Sequence, residues 1–504
     1  LKILEIYGKI RTQINFKFKG EMMKKIIAAL VVIVALIVGV FVATKDAKTG
    51  VAKSVNDSIT KTVDGAVGKS ASAAIEQQIA EFIARNEIFE TKSAKFYPGD
   101  SNSSGFIEGV VKKEKLQKSL TEGFSKLKEK AGAQDSNDTD EPDPAKIFPE
   151  DFTFRYDYTI KHSVKNAADG FESDGILTIK TPYYAEPCKK LFKTDAPLST
   201  HLNYGPTEVK FSAKLADINV LEDGGMGRLA GLSLNGTSDM SGKTIKALGF
   251  KIGEIFIDDG KDSGLDVKDL IYEANFKNGI QDLDDNITKL FLNDIDFAGS
   301  TKELVVTVDK QRFVVVTDMS TEGSYRVKDG ILNFNESDKA QSLKIADVLV
   351  RNIHLGVDTS FSAALFEKYL SVISNPQEGE KLAENKELFM KLLKDDMKIN
   401  VNDFSFENSL GKKFAFNASA LVGGYIDETQ LFKRMSLDGK ATINTTITDF
   451  LSPYDSLRDF APMAEVYGSQ FLKPDGDGVK MEFSFDKASN SMILNGKPIP
   501  LPHN

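Results

Sequence analysis

Alternation is the dominant pattern in this chain. Between residues 152 and 161, Phe152, Phe154, Tyr156, Tyr158 and Ile160 occupy every second position. Thr153, Arg155, Asp157, Thr159 and Lys161 fill the gaps. A period of two predicts a strand with one dry face and one wet face. Similar segments recur at 175–181, 207–221, 251–258, 265–277, 289–297, 303–308 and 312–318. They continue at 325–334, 343–357, 397–407, 413–422, 435–448, 479–486 and 491–496. One-sided alternation of this kind predicts antiparallel sheet. Asp329-Gly330 and Asp438-Gly439 read as tight hairpin turns. In places the apolar phase slips, as between Leu215 and Ile218, which predicts a β-bulge and a bend in the sheet.

A period near four appears elsewhere. Val51, Val55, Ile59, Val63 and Val67 form a stripe within 51–90, and Leu116, Leu120, Phe124 and Leu127 form another within 112–131. Residues 46–131 therefore read as a helical stalk or lid. Residues 132–149, acidic and proline-bearing, read as a flexible linker, and 150–504 as a β-rich domain. Within that domain, 361–374 and 380–396 predict a helical hairpin packed on the sheet. A last helix is expected near 455–472, with Leu457, Phe460, Ala464, Tyr467 and Phe471 along it. The expected class is mainly β with helices (α+β): an N-terminal transmembrane helix, then a long curved antiparallel sheet packed by several helices.

The transmembrane expectation rests on residues 22–45. From Ile26 to Ala43 there is no charged residue and no proline. At ~1.5 Å per residue a helix there reaches ~27 Å, close to the thickness of a bilayer core. A cut after Ala43 or Ala47 would leave Phe41 or Lys45 where a signal peptidase wants a small residue. The segment reads as an uncleaved anchor, with Lys24 and Lys25 cytoplasmic and the bulk of the chain in the periplasm. Residues 1–21, which precede Met22 and Met23, read as upstream read-through or a cytoplasmic tail.

Composition narrows the function. The formal charge of −9 disfavours nucleic acid. Cys188 is the sole cysteine, so no internal disulfide can form; it is either a small buried side chain or a redox or intermolecular group. Trp is absent and Phe numbers 34, so Phe carries the aromatic packing. The four histidines, His162, His201, His354 and His503, show no metal-binding spacing, and no G-x-S-x-G motif occurs. His354 reads as a solvated strand residue on the face opposite Ile353 and Leu355. His162 closes a strand, and His201 falls in a turn-rich loop. A Ser-His-Asp set stays open, because such sets assemble in space. Asp258, Asp262 and Asp266 could converge on calcium, but they lack the EF-hand spacing, and a polar hairpin loop is the simpler reading. No catalytic, cofactor or metal residue is assigned.

The last third carries a resemblance. The segments "LLKDDMKINVNDFSFENSLGKKFAFNASALV", "KRMSLDGKATINTTI" and "GVKMEFSFDKASNSMILNGKPIPL" resemble the YdgA-like bacterial proteins. The matching turns are Ser436-Leu437-Asp438-Gly439 and Leu494-Asn495-Gly496, and "KIADVLVRNIHLGVDTSFSAALFEKYLSVIS" fits the family's strand-to-helix step. The likeness is good over 340–501 and weak before it. It implies an inner-membrane-anchored periplasmic protein with no known active site, linked in some members to motility or envelope biology.

The expectation is a non-enzymatic envelope protein that binds a protein partner or assembles with itself, without a cofactor. Two alternatives stay open. One is a hydrophobic groove on the sheet that binds or carries lipid; the other is a hydrolase with an unrecognised site.

Overall fold

The computed structural model describes residues 89–99, 101–118, 148–162, 171–205, 207–222, 224–239, 244–281, 294–364, 366–367, 397–422, 435–486 and 491–500, with residues 121 and 145. Of these, 69% are strand and 13% helix. The strands are β1 (Glu90–Tyr97), β2 (Asn102–Val111), β3 (Phe152–His162), β4 (Phe171–Ile179), β5 (Leu198–Tyr204) and β6 (Glu208–Leu215). Next come β7 (Ile218–Glu222), β8 (Gly225–Ala230), β9 (Ser233–Asp239), β10 (Thr244–Asp258), β11 (Gly264–Gln281) and β12 (Ile295–Val308). Then follow β13 (Gln311–Lys328), β14 (Ile331–Ile345), β15 (Val348–Ser362), β16 (Met397–Asn408), β17 (Lys413–Val422) and β18 (Met435–Ile443). The chain ends with β19 (Lys473–Asp475), β20 (Gly478–Asp486), β21 (Ser491–Leu494) and β22 (Lys497–Pro500). The helices are α1 (Pro182–Phe192), α2 (Ile447–Leu451), α3 (Asp455–Arg458) and α4 (Ala461–Gly468).

All strands belong to one antiparallel sheet, and nearly all pair with their neighbours in sequence. β6–β7 and β8–β9 form one broken hairpin: β6 pairs with β9, β7 with β8, and β10 runs along both β8 and β9.

This corrects the α+β expectation. The described body is a sheet with a few short helices, and no helix among the described residues is long and apolar enough to cross a membrane. The segments 1–21, 22–45 and 51–88, and the helical span 368–396, lie outside the described residues. The helical stalk assigned to 46–131 is overturned at 90–111, where β1 and β2 stand. In β2 the buried positions Ser103, Gly105, Ile107 and Gly109 alternate, a strand signal hidden by small residues. Helix in the 112–131 stretch is described only at 113–118 and 121. The linker assigned to 132–149 ends inside the core, because Phe148 is 0% exposed. Asp438-Gly439 is no turn: it lies within β18, paired with Ser419 and Ala418. Gly439 is needed there because a Cβ would fall 2.4 Å from Cζ of Phe483. Asp329-Gly330 is a turn, with φ of 53° and 76°, the left-handed pair that a tight hairpin requires.

The closed core lies in the first half. Phe152, Phe154, Tyr158 and Ile160 are buried as the alternation predicts, together with Leu177, Ile179, Leu198 and Leu215. α1 covers them with Tyr184, Cys188, Leu191 and Phe192. Its start is fixed by Pro182 and by Thr181, whose hydroxyl accepts from Thr153 N at 2.7 Å and donates to Asp151 O at 2.9 Å.

A transverse crease interrupts the long strands. Gly231, Asp269, Asp318 and Asn352 have φ of 67°, 51°, 46° and 49°. They lie along one line with Gly253, Lys302 and Gln341, where the ladders of β10 to β15 skip pairs. Across that line the apolar positions change parity, from Tyr272, Ala274 and Phe276 to Val267 and Leu265 in β11. The same change occurs in β14, from Leu332 and Phe334 to Leu343 and Ile345. At the end of the line, Leu215 and Ile218 are an odd number of residues apart, yet both enter the closed core. The left-handed residues thus compensate the phase slip and keep apolar side chains on one side.

Candidate functional site

The apolar face of the sheet continues past the closed core as an aromatic ribbon. Phe250 stacks on Tyr272 at 5.7 Å between ring centres, while Phe297 lies tilted against Tyr325 at 5.5 Å and Tyr325 tilted against Phe334 at 4.8 Å. Phe361 meets Phe366 at 5.6 Å, Phe406 meets Phe414 at 5.0 Å, and Phe416 meets Phe483 at 6.2 Å. Cross-strand register places these rings on one face, as in Tyr325 opposite Phe334 and Phe404 opposite Phe416. Glycines make room for them: a Cβ at Gly323 would lie 2.5 Å from Phe297, and one at Gly236 would lie 2.2 Å from Phe211. From β6 to β20, at ~4.8 Å per strand, the ribbon runs for roughly 50 Å.

Cover differs along its length. Over the middle strands the buried cluster is small, comprising Ala274, Phe276, Ile280 and Ile295. Phe250, Phe297, Tyr325, Phe334 and Phe361 remain half-buried. Beside Gly236 and Gly249 a depression of about 300 Å³ opens, lined mostly by residues of the opposite, polar face, among them Lys210, Asn235, Thr237, Glu273 and Asn275. At the far end α2 closes over β16, with Phe450 5.9 Å from Phe406. Asn408, fully buried, donates to Phe450 O at 2.8 Å and accepts from Leu410 N and Lys412 N, each at 2.9 Å. Tyr454 donates its hydroxyl to Leu349 O at 2.9 Å. The periodicity of 150–504 marked this face as apolar; nothing in it marked where cover would stop.

The opposite face is polar, and it holds the one Ser-His-Asp arrangement found among the described residues. His354 Nδ1 lies 2.8 Å from Asp403 Oδ2, and its Nε2 lies 3.3 Å from Ser337 Oγ. The three residues come from the adjacent strands β14, β15 and β16. Burial pushes the Asp403 carboxyl up, but hydrogen bonds from His354 and Ser405 outweigh it and hold the group below the usual carboxylate range. Around Ser337 and His354 the strands are paired in register, with Ser337 opposite Gly356 and Lys339 opposite His354. On the other side of His354 the pairing of β15 with β16 shifts register, between Arg351 and His354 and again between Gly356 and Val357. The arrangement ties three strands together.

The other sequence candidates separate. His201 lies in β5 rather than in a loop, with Nδ1 2.8 Å from Asp174 Oδ1. The hydrogen bond from His201, then that from Lys161, holds the Asp174 carboxyl below its ordinary range. His162 closes β3, and His503 lies outside the described residues. Cys188 is a buried free thiol, pushed by burial to about 11. Asp258 accepts from Gly260 N at 2.7 Å, Asp262 meets Lys310 at 3.3 Å, and Asp266 meets Lys268 at 3.2 Å. They do not converge, and among the described residues no three His, Cys, Asp or Glu side chains could hold a metal. Asp259, which the calcium reading did not use, organises the loop by accepting from the backbone N–H of Lys261, Asp262 and Ser263.

Comparison with known proteins places the chain. A family model described as "Bacterial protein of unknown function (DUF945)" matches residues 180–502, and the chain belongs to that family. No curated protein and no solved structure matches it.

Proposed function

We propose, with membership of this bacterial family as the premise, that the protein is a non-enzymatic envelope protein that holds lipid acyl chains along the aromatic ribbon. The observation that carries this reading is the ribbon itself: half-buried rings run across the middle strands, while the reverse face is polar. Acyl chains suit such a strip because they need no hydrogen-bond partner and gain from lost apolar exposure at ~25 cal/mol per Å². The apolar segment 26–43 is retained in the inner membrane and keeps the body beside its ligand, in the periplasm. The finer likeness to YdgA-like proteins supports this placement. One of its motifs does structural work here: Asn495 donates to Phe471 O at 2.7 Å and accepts from Glu482 N at 2.8 Å, fixing the last hairpin.

The test is native mass spectrometry with lipid extraction of the purified full chain. Lipid should accompany the wild type and be depleted in a Phe297→Ser/Phe334→Ser variant. Equal lipid in both, or none in either, overturns the reading. Alkaline extraction of native membranes tests the placement separately; a soluble chain whose amino end lies past residue 45 would refute it.

A further inference from the structure

The helical cluster after β18 carries an anomaly. α4 begins with Pro462 in its first turn and packs its small side inward. Ala461 is buried, and Gly468 approaches α2 so closely that a Cβ would lie 2.4 Å from Ile447 Cδ1. Glu465, the only charged residue of the helix, also turns inward and accepts from Thr448 N at 2.8 Å. The outward side is left to Phe460, Met463, Val466, Tyr467 and Phe471, all between 48% and 65% exposed. The usual amphipathic arrangement is inverted, with the apolar side chains in water and the carboxylate held against the protein. A contiguous apolar ridge of this kind marks a docking surface.

We propose that this ridge docks on the lipid bilayer. Three observations select lipid over a protein partner. First, the ridge carries no charge, and its one hydroxyl, on Tyr467, sits on an amphipathic ring of the type favoured at membrane interfaces. Second, the ridge joins the ribbon: α4 packs on α2, and Phe450 of α2 touches Phe406. A bilayer under the ridge therefore lies at one end of the aromatic strip. Third, resting on the placement proposed above, residues 44–88 tie the first described strand to the membrane segment. Even fully extended, at ~3.4 Å per residue, they hold the body within about 150 Å of the bilayer, so a weak patch finds its target at high effective concentration.

The protein contains no tryptophan, so Tyr467→Trp creates a sole reporter on the ridge. The full chain is reconstituted in nanodiscs of phosphatidylcholine with brominated acyl chains. The indole of the Tyr467→Trp variant should be quenched and blue-shifted relative to discs of ordinary lipid, whereas a Tyr97→Trp reporter on β1 should keep its emission. Adding Val466→Asp should abolish the quenching while far-UV circular dichroism stays unchanged. A ridge indole that is unquenched in a chain shown to be membrane-inserted overturns the proposal. So does protection of that indole that depends on protein concentration, which would assign the ridge to a second copy. If the chain proves soluble, the placement fails separately, and flotation with phosphatidylcholine vesicles decides the ridge: wild-type flotation lost in Val466→Asp sustains it, and absence of flotation refutes it.

Discussion

The two halves of the sheet share one construction and differ in what lies above it. Strands β1 to β9 cover their apolar face with α1, Phe148 and Leu116, and bury Phe152, Leu177 and Leu198 to 2% exposure or less. Strands β10 to β18 continue the same face with as many rings but leave most of them half-buried. Alternation decides which side of a strand is apolar; a second layer decides whether that side becomes core. Among the described residues the second half therefore leaves its aromatic rings half-buried where the first half encloses them.

The sharpest test sets one ring from each half against the other. Phe148→Ala should cost about 3–5 kcal/mol in urea denaturation, because a fully enclosed ring leaves a cavity. Phe334→Ala should cost only about 1 kcal/mol, since a half-buried ring gives up less area, yet it should deplete bound lipid. Equal losses of stability would mean that the ribbon is closed in solution and would break the contrast.

Asn408→Ala comes next. The change strips Phe450 O, Leu410 N and Lys412 N of their partner inside the protein, and should cost roughly 3 kcal/mol. It should also loosen α2 to α4 from the sheet, measured as faster amide exchange at 447–468 than at β12. Unchanged exchange there would show that Tyr454 and Phe450 suffice to hold the cluster.

A pH measurement reads the closed half alone. Burial pushes the Cys188 thiol from 9.0 to about 11, so the folded state keeps its proton where the unfolded chain loses it. The unfolded state therefore gains as pH rises from 9 to 11, and stability present below pH 9 falls by roughly 2–3 kcal/mol across that window. Cys188→Ala should flatten this loss, and wild-type Cys188 should resist alkylation at pH 8 until the protein unfolds. Ready alkylation of the folded protein would show that α1 opens.

Much of the sheet was legible in the sequence because alternation is local. Phe152 to Ile160 gave the correct face, and the slip between Leu215 and Ile218, read as a β-bulge, falls at the break between β6 and β7. β1 and β2 were hidden because Ser103, Gly105 and Gly109 occupy the buried positions, and the stripe at 51–83 extended a helical reading over them. α1 left no signal, since Pro187 interrupts its pattern. The expectation at 455–472 found a helix, but the structure breaks it into α3 and α4 and turns Phe460, Tyr467 and Phe471 outward. An apolar stripe shows that a helix has a preferred side; it does not name the partner. The ribbon was legible as residues and illegible as a site for the same reason, since exposure depends on what other segments do.

The crease offers the smallest effect and separates the halves by mechanism. Asp269, Asp318 and Asn352 hold left-handed backbone within long strands, a conformation that Asp and Asn tolerate and β-branched residues resist. Asp318→Val should cost about 1–3 kcal/mol, the scale of one strained residue. Asp318→Gly should be neutral within about 1 kcal/mol, because glycine enters this region freely but adds entropy to the unfolded chain. The informative readout is ligand binding: if the left-handed line keeps Val314 and Val316 on the side of Tyr325, forcing Asp318 into extended geometry turns them away. Asp318→Val should then lower lipid retention beyond what its stability loss explains, while Asp318→Gly leaves it intact. Equal retention in the two variants would reduce the crease to a bend with no part in shaping the ribbon.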